Sequence, residues 1–295
     1  MVGNVIFIEG IPGAGKTSTV NMIAEFLRGK GVGVRAIVEG ELDQPADYEG
    51  VAFLTDDEWM SIQKNHCKEA ERMNNDRKPM LHGWLVHYSK MARTGDWPEK
   101  LIHELSIHDI YNKEPELYAA LIKHKWQDLN EMLHGTDEVI LLDCSLLQNP
   151  TTFLSAKHDI GEDGINAFVL DLIHAIRAHR RLVIYLEPRE IRASFQHVMA
   201  ERPDDWYHFV KDYYTTGAYG VNHQLSNDLE GVLTYLEQRV KLEKSILEVA
   251  EIEWLHIERN QSDWDDVNKK ITDWLSLKME GWRALQTPGG GRNHQ

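Results

Sequence analysis

The chain contains little cysteine and no long apolar run. Its two cysteines, Cys67 and Cys144, could form at most one disulfide, so we expect the reduced thiols of a cytoplasmic protein. No apolar stretch approaches the roughly 18 residues that cross a bilayer. The N-terminal apolar segment has no basic region or cleavage site before it. We therefore expect neither an export signal nor a membrane span.

Basic residues are also in the minority, with 32 Lys and Arg against 47 Asp and Glu and a net charge of −15. An acidic surface repels nucleic acid and anionic membranes, so neither is expected as a partner. The 15 histidines show no His-x-x-x-His spacing, which argues against a zinc site. The length of 295 residues and the 42% hydrophobic content predict one large α/β domain. A homodimer is a possible assembly of this chain.

The most informative stretch is Asn4 to Thr19, NVIFIEGIPGAGKTST, an apolar run followed by a glycine-rich loop and an amphipathic segment. It contains Gly-x-x-x-x-Gly-Lys-Thr, the phosphate-binding P-loop pattern. Glycines let consecutive backbone N–H groups surround a phosphate, and the positive end of the following helix attracts the anion. The predicted nucleotide-binding residues are Gly10, Gly13, Ala14, Gly15, Lys16, Thr17 and Ser18, with Lys16 also catalytic and Thr17 also a Mg²⁺ ligand.

Five short apolar runs alternate with helical patterns, which is typical of a parallel sheet covered on both faces. The predicted fold class is α/β, a P-loop NTPase with a five-stranded parallel sheet flanked by helices. The predicted strands are Val5–Glu9, Val32–Glu39, Glu138–Ser145, Arg181–Pro188 and Glu253–Glu258.

The spacing of these strands is uneven. We predict a single kinase-like domain over residues 1–286, with a helical insert at about 46–136 between strands 2 and 3 and a helical lid-like region at about 189–250 after strand 4. Residues 287–295 are expected to be a disordered tail. The helical runs expected in the insert are Asp56–Asn75, Met80–Thr94, Trp97–Leu105 and Pro115–Leu133.

Two acidic residues end predicted strands beside the loop. Asp143 follows the apolar run from Val139 to Leu142, the pattern of a Walker B strand, and would hold Mg²⁺. Glu39 ends the second run and would be the base that accepts the proton of an acceptor hydroxyl. Each has a structural alternative. An Asp ending a strand is common in α/β proteins, and Glu39 could belong to a solvated acidic loop with Glu41.

Arginines follow the fourth strand. Arg192 and Arg202 are candidate catalytic residues, because guanidinium groups from a mobile segment neutralise charge on a transferring phosphoryl group. They could instead be ordinary surface residues paired with neighbours such as Glu190 or Glu201. The insert also supplies side chains that could either line an acceptor pocket or form core: Trp84, His87, Tyr88, His124, Trp126 and Gln127.

With these residues in place, the chain resembles the P-loop kinases of the nucleoside and nucleoside-monophosphate kinase group, including thymidylate kinase. The matching features are the N-terminal P-loop, the acids Glu39 and Asp143, and Tyr185-Leu186-Glu187-Pro188 before an arginine-bearing segment. The resemblance implies ATP and Mg²⁺ as cofactors and a small-molecule acceptor. The chain departs from the group after the third strand, where Asp143-Cys144-Ser145 lacks the usual arginine, and its lid is longer.

Three functions compete. The first is a kinase that moves the γ-phosphoryl group of ATP to a nucleoside, nucleotide or other small hydroxyl-bearing acceptor. The second is a P-loop ATPase or switch without such an acceptor. The third is a protein that uses the loop only to hold a coenzyme or nucleotide sugar. A GTPase and an ABC-type ATPase are disfavoured because Asn-Lys-x-Asp and Leu-Ser-Gly-Gly-Gln are absent. A kinase needs a cleft between insert and P-loop, whereas a switch needs a partner surface.

Overall fold

The computed structural model describes residues 2–42, 44–74, 76–260 and 263–284, with side chains described as far as residue 280. The predicted tail at residues 287–295 lies outside this part of the chain.

Five parallel strands form the central sheet in the order β2-β6-β1-β7-β8, which confirms the predicted α/β fold. The register of β1 pairs Ile8 with Asp143 on one side and with Ile184 on the other. The carboxyl ends of these strands therefore meet at one edge of the sheet, where ligands bind in such folds. The strands are β1 (Asn4–Gly10), β2 (Val34–Ile37), β6 (Val139–Asp143), β7 (Arg180–Pro188) and β8 (Glu253–Arg259).

Helices cover both faces of this sheet, because its strands are apolar on both sides. Ile6 and Ile8 of β1 face a cluster that includes α1 (Lys16–Gly29) and α13 (Trp264–Ala284). Val5 and Phe7 face the opposite cluster, where Trp126 stacks on Phe7 with ring centroids 5.5 Å apart. Helices α6 (Pro115–His134), α8 (Glu162–Ala175) and α12 (Leu229–Val249) all contribute to that second cluster.

The insert is not wholly helical, which corrects the prediction. It contains a three-stranded antiparallel sheet in the order β3-β5-β4. The expected helix Met80–Thr94 is wrong in its first half, because Gly83–Val86 is a strand paired with Ala52–Thr55. A short apolar run such as Trp84-Leu85-Val86 has no period that separates strand from helix. The insert elements are β3 (Ala52–Thr55), α2 (Asp56–Asn65), α3 (Cys67–Met73), β4 (Lys78–Met80), β5 (Gly83–Val86), α4 (Tyr88–Thr94) and α5 (Glu99–Ile107).

The region after β7 is helical, as predicted. Its helices pack through an aromatic cluster in which Phe195, Tyr214 and Tyr235 are buried. Among the described helices, none is long and apolar enough to cross a membrane. The remaining helices are α7 (Gln148–Thr152), followed by a π-helical turn at Phe153–Lys157, then α9 (Ile191–Glu201), α10 (Asp204–Thr216) and α11 (Ala218–Asn222).

Candidate active site

The glycine-rich loop joins β1 to the first turn of α1. Gly10, Gly13 and Gly15 all have positive φ, at 140°, 83° and 89°. Gly15 is the N-cap of α1, whose first turn has no side-chain cap and no acidic residue. The backbone N–H groups at this helix end therefore have no competing side-chain acceptor there, which suits an anion.

Two of these glycines are also required by close packing. A Cβ on Gly10 would stand 2.3 Å from the carbonyl oxygen of Leu186. A Cβ on Gly15 would stand 2.2 Å from Nη1 of Arg259 and 2.6 Å from the ring of Trp264. The loop is thus held against β7 on one side and against the end of β8 on the other, at distances that only glycine permits.

Lys16 is buried at the start of α1. Its ammonium donates to the carbonyl oxygen of Ile11 at 3.2 Å and to Oε1 of Gln148 at 3.0 Å. Burial opposes the charge of this ammonium, but nearby Cys144, Asp143 and Glu39 raise its pKa above the ordinary lysine value. The ammonium form of Lys16 is therefore favoured, and such a charge beside the glycine-rich loop would suit a phosphate.

The two predicted metal ligands lie together. The hydroxyl of Thr17 donates to Oδ2 of Asp143 at 2.9 Å, although the residues are 126 positions apart in the chain. Asp143 is buried at the end of β6, whereas Thr17 is exposed. A hydroxyl and a carboxylate side by side, next to a phosphate loop, are the oxygen donors that Mg²⁺ prefers, so these residues fit the ion.

Cys144 follows Asp143 in a left-handed conformation with φ of 66°, which is uncommon for a residue with a side chain. Its buried thiol donates to Oδ1 of Asp143 at 2.9 Å and accepts from the amide of Gln148 at 3.0 Å. Burial raises the pKa of the Cys144 thiol, and its hydrogen bond helps to orient the carboxylate of Asp143.

Glu9 is a site residue that the sequence analysis missed. Its carboxylate is fully buried and accepts the backbone N–H groups of Leu146 at 2.7 Å and Gln148 at 3.0 Å. Burial raises the pKa of Glu9 to about 8. This side chain ties the segment after β6 to the strand that enters the P-loop. The available signal was an acid placed directly before the first glycine of the loop.

A cavity of about 990 Å³ opens beside the P-loop. This volume lies at the upper end for ligand pockets and leaves room for a nucleotide and a second small molecule. Its walls come from the P-loop, the loop after β2, the insert, α7, the helices after β7 and the end of β8. The lining residues include Gly13, Gly15, Lys16, Thr17, Ser18, Glu39, Asp47, Glu49, Tyr111, Gln148, Asn149, Phe153, Arg202, Trp206, Tyr213, Arg259 and Trp264.

Glu39 lines this cavity, but it does not end the strand as predicted. Strand β2 stops at Ile37, so Glu39 stands in the exposed turn that follows. Its Oε2 lies 3.8 Å from the thiol of Cys144. The structure therefore brings Glu39 to the same cavity as Lys16 and Thr17.

The two predicted arginines lie in different environments. Arg202 lines the cavity from the end of α9. Arg192 is about half exposed and pairs with Glu230 at 2.5 Å, and it is not among the residues that line the cavity. In this structure Arg192 is therefore a surface residue in an ion pair, which was the alternative to a catalytic role.

The insert side chains singled out from the sequence do not line this cavity. Trp126 is core, and its indole N–H donates to the carbonyl oxygen of Ala46 at 3.0 Å. The insert contributes Asp47, Glu49 and Tyr111 instead. A search of the sequence for helical spacing could not have found these lining residues, because Asp47 and Glu49 lie in loops.

Arg259 and Trp264 complete the loop side of the cavity. Nη1 of Arg259 donates to the carbonyl oxygen of Ala14 at 2.7 Å, and its guanidinium lies 3.9 Å from the ring centroid of Trp264. The sequence carried no signal for this contact, which joins residues 245 positions apart.

No family model and no curated protein matches this chain. Among solved structures it is similar to a shikimate kinase from Acinetobacter baumannii in complex with shikimate, at 14% identity and a TM-score of 0.37. That likeness covers 94% of this chain and 95% of the other. It is too distant to carry an argument, so the assignment of function below depends on the P-loop, the sheet and the cavity.

Proposed function

We propose that this protein is an ATP- and Mg²⁺-dependent kinase that transfers the γ-phosphoryl group to a hydroxyl of a small acceptor. The observation that carries the proposal is the cavity, which the P-loop shares with the insert and with the helices after β7. A kinase needs such a cleft, and a nucleotide switch does not. The finer resemblance to nucleoside and nucleoside-monophosphate kinases, a cytoplasmic location and a homodimer remain hypotheses.

The chain's own residues can be given roles on this proposal. Bound ATP–Mg²⁺ would supply the phosphoryl group and neutralise its charge. The loop N–H groups and Lys16 would hold the phosphates, and Thr17 and Asp143 would hold the metal. Glu39 would orient the acceptor hydroxyl and accept its proton, which typically contributes 10²–10⁴-fold to a rate. Arg202 would approach the phosphates from the lid.

Nucleotide binding is the first arm of the test. Calorimetry with ATP and Mg²⁺ should show binding to the wild type and none to Lys16→Ala, because that variant lacks the buried cation of the loop. A folded Lys16→Ala protein with unchanged affinity would contradict the proposal.

The second arm separates the two acids. Glu39→Gln should lower phosphoryl transfer by about 10²–10⁴-fold and leave ATP affinity level, because it removes only the base. Asp143→Asn should instead raise the Mg²⁺ concentration that half-saturates the reaction. Transfer is measured as ADP release across a Mg²⁺ titration with hydroxyl acceptors. Acceptor-independent ATP turnover that both wild type and Glu39→Gln retain would favour the ATPase or switch instead.

A further inference from the structure

One continuous wall of the cavity is supplied by the loop after β2, the insert and the segment from α7 onward. We call it the acceptor wall. Its members contact one another: the hydroxyl of Tyr111 and the amide of Asn149 both bind Asp47, and the rings of Tyr111 and Phe153 meet edge to face at 5.7 Å. Its six residues are Glu39, Asp47, Glu49, Tyr111, Asn149 and Phe153.

The charges of the cavity are unevenly distributed. The acceptor wall carries three carboxyl groups, and none of the six residues that define it is Lys or Arg. The cavity's Lys and Arg side chains are Lys16, Arg202 and Arg259, which come from the P-loop, the end of α9 and the end of β8. One further acid, Glu201 of α9, also lines the cavity and lies 3.2 Å from His197. The lining Lys and Arg therefore lie at the phosphate end of the cavity, and the acceptor wall carries negative charge.

Three further cations lie near this wall without lining the cavity. Arg93 donates to the carbonyl oxygen of Gly40, and Lys125 lies 4.7 Å from the ring centroid of Tyr48. Lys157 donates to the carbonyl oxygen of Tyr111 and to Asn112, and it lies 5.8 Å from the ring centroid of Phe153, so it contacts two wall residues. None of the three cations is among the residues that line the cavity.

Asp47 is fixed in position by hydrogen bonds from neutral donors. Tyr111 donates to both of its oxygens at 2.8 Å, the N–H of Tyr48 donates at 2.7 Å and the amide of Asn149 donates at 2.7 Å. All these donors are neutral, so they satisfy hydrogen bonds without cancelling the negative charge. Burial raises the pKa of the Asp47 carboxyl, and the positive charge of Lys125 offsets only part of that rise. A cationic ligand would offset that unfavourable burial.

Glu49 has the same electrostatic character. Desolvation by the surrounding protein, with repulsion from Asp47 and Glu39, raises the pKa of its carboxyl. Its Oε2 accepts the backbone N–H of Gly40 at 3.1 Å, and the positive charge of Arg93 offsets part of the rise in pKa.

On the kinase function proposed above, we infer that the acceptor is a hydroxyl compound carrying a positively charged amine, such as an amino sugar or aminocyclitol. The ammonium would lie against Asp47 and Glu49, leaving a hydroxyl toward Glu39 and the phosphate end. A phosphate or carboxylate in the same place would meet three carboxyl groups, and none of the six lining residues of the wall is a Lys or Arg that could pair with it.

Matched ligands test this charge preference without requiring turnover. Calorimetry compares glucosamine with glucose and glucuronate, and deoxystreptamine with inositol and inositol monophosphate. Within each set the ring hydroxyls are similar and the charge changes. We expect the amine to bind at least about tenfold more tightly than the neutral compound, and the anion to bind least. ADP release with ATP and Mg²⁺ should follow the same order.

Glu49→Gln is the informative variant, because Glu49 lies in a loop, is partly desolvated but still more than a third exposed, and glutamine can still accept the N–H of Gly40, so folding should not be impaired. It should weaken amine binding about tenfold and leave binding of the neutral ring within about twofold. The matched control is Glu41→Gln, an exposed acid of the same loop that does not line the cavity and should change neither.

The inference is overturned if the anionic members bind or react best, if Glu49→Gln leaves the amine preference intact, or if no amine binds to protein that binds ATP. That last result leaves the kinase proposal standing. If the protein bound the amine but not ATP, the kinase proposal would fail and the charge preference of the wall would stand. The two failures can therefore be told apart.

Discussion

The packing around Gly15 makes a quantitative prediction about the P-loop. We consider Gly15→Ala, with Gly31→Ala as its matched control. Both glycines have left-handed backbones, with φ of 89° and 74°. A Cβ on Gly15 would collide with Arg259 and Trp264, whereas a Cβ on Gly31 meets no described atom within 4 Å. Both variants therefore place an alanine in a left-handed backbone conformation, and only Gly15→Ala also brings a Cβ too close to Arg259 and Trp264.

The magnitude follows from the contacts that must be lost. The left-handed conformation costs an alanine about 1–2 kcal/mol at either position. At Gly15 the guanidinium of Arg259 must also leave the carbonyl oxygen of Ala14, 2.7 Å away, and the ring of Trp264. A hydrogen bond to a charged group contributes about 1.5–3 kcal/mol and a cation–π contact about 0.5–1. Because the side chain can relocate, we expect Gly15→Ala to be about 2 kcal/mol less stable than Gly31→Ala.

Urea unfolding of both variants measures that difference, and calorimetry with ATP and Mg²⁺ measures its effect on the site. Gly15→Ala should lose nucleotide affinity and Gly31→Ala should keep it. In an Arg259→Ala background, Gly15→Ala should destabilise the protein less than it does in the wild type, since the contacts of Arg259 that it would break are already absent. Equal destabilisation by the two glycine variants, or additive effects of Gly15→Ala and Arg259→Ala, would refute this account of the loop.

Two further outcomes are expected. Arg202→Ala should lower turnover by about 10²-fold or more and have little effect on ATP affinity. Arg192→Ala, which only breaks the surface pair with Glu230, should leave turnover and ATP affinity unchanged. Steady-state rates measure turnover in both variants, and calorimetry measures ATP affinity. Because burial raises the pKa of Glu9 to about 8 from the ordinary value of 4.5, the folded carboxyl keeps a proton that the unfolded chain releases between those pH values. The free energy of unfolding of the wild type, relative to that of Glu9→Gln, should therefore fall as pH rises from 5 to 8, by at most about 1.4 kcal/mol per pH unit. Urea unfolding of both proteins at three pH values measures this difference, and a difference that stayed constant would contradict the prediction.

The central sheet was predictable because its strands are buried on both faces and therefore appear as apolar runs. The register that pairs Ile8 with Asp143 brings the P-loop and the acid-ending strand to one edge, as the fold rule requires. The short strands of the insert were not predictable. Gly83–Val86 is four residues long and owes its conformation to pairing with Ala52–Thr55. Local propensity does not encode such a pairing.

Within the site, motif residues were predictable and supporting residues were not. Lys16 and Thr17 belong to a pattern that the chemistry imposes on one short stretch. Asp47 and Asn149 come together only because the chain folds, since they lie 102 positions apart. The arginines differ for a related reason. Both sit near the ends of α9, and only the folded structure shows that one end adjoins the cavity while the other faces Glu230.

Two adjacent residues at the start of α7 connect the halves of the site. Gln148 accepts from the ammonium of Lys16, and Asn149 donates to Asp47 on the acceptor wall. The backbone N–H of Gln148 is held by the buried carboxyl of Glu9. Two adjacent residues of one helical turn therefore link Lys16 of the P-loop to Asp47 of the acceptor wall.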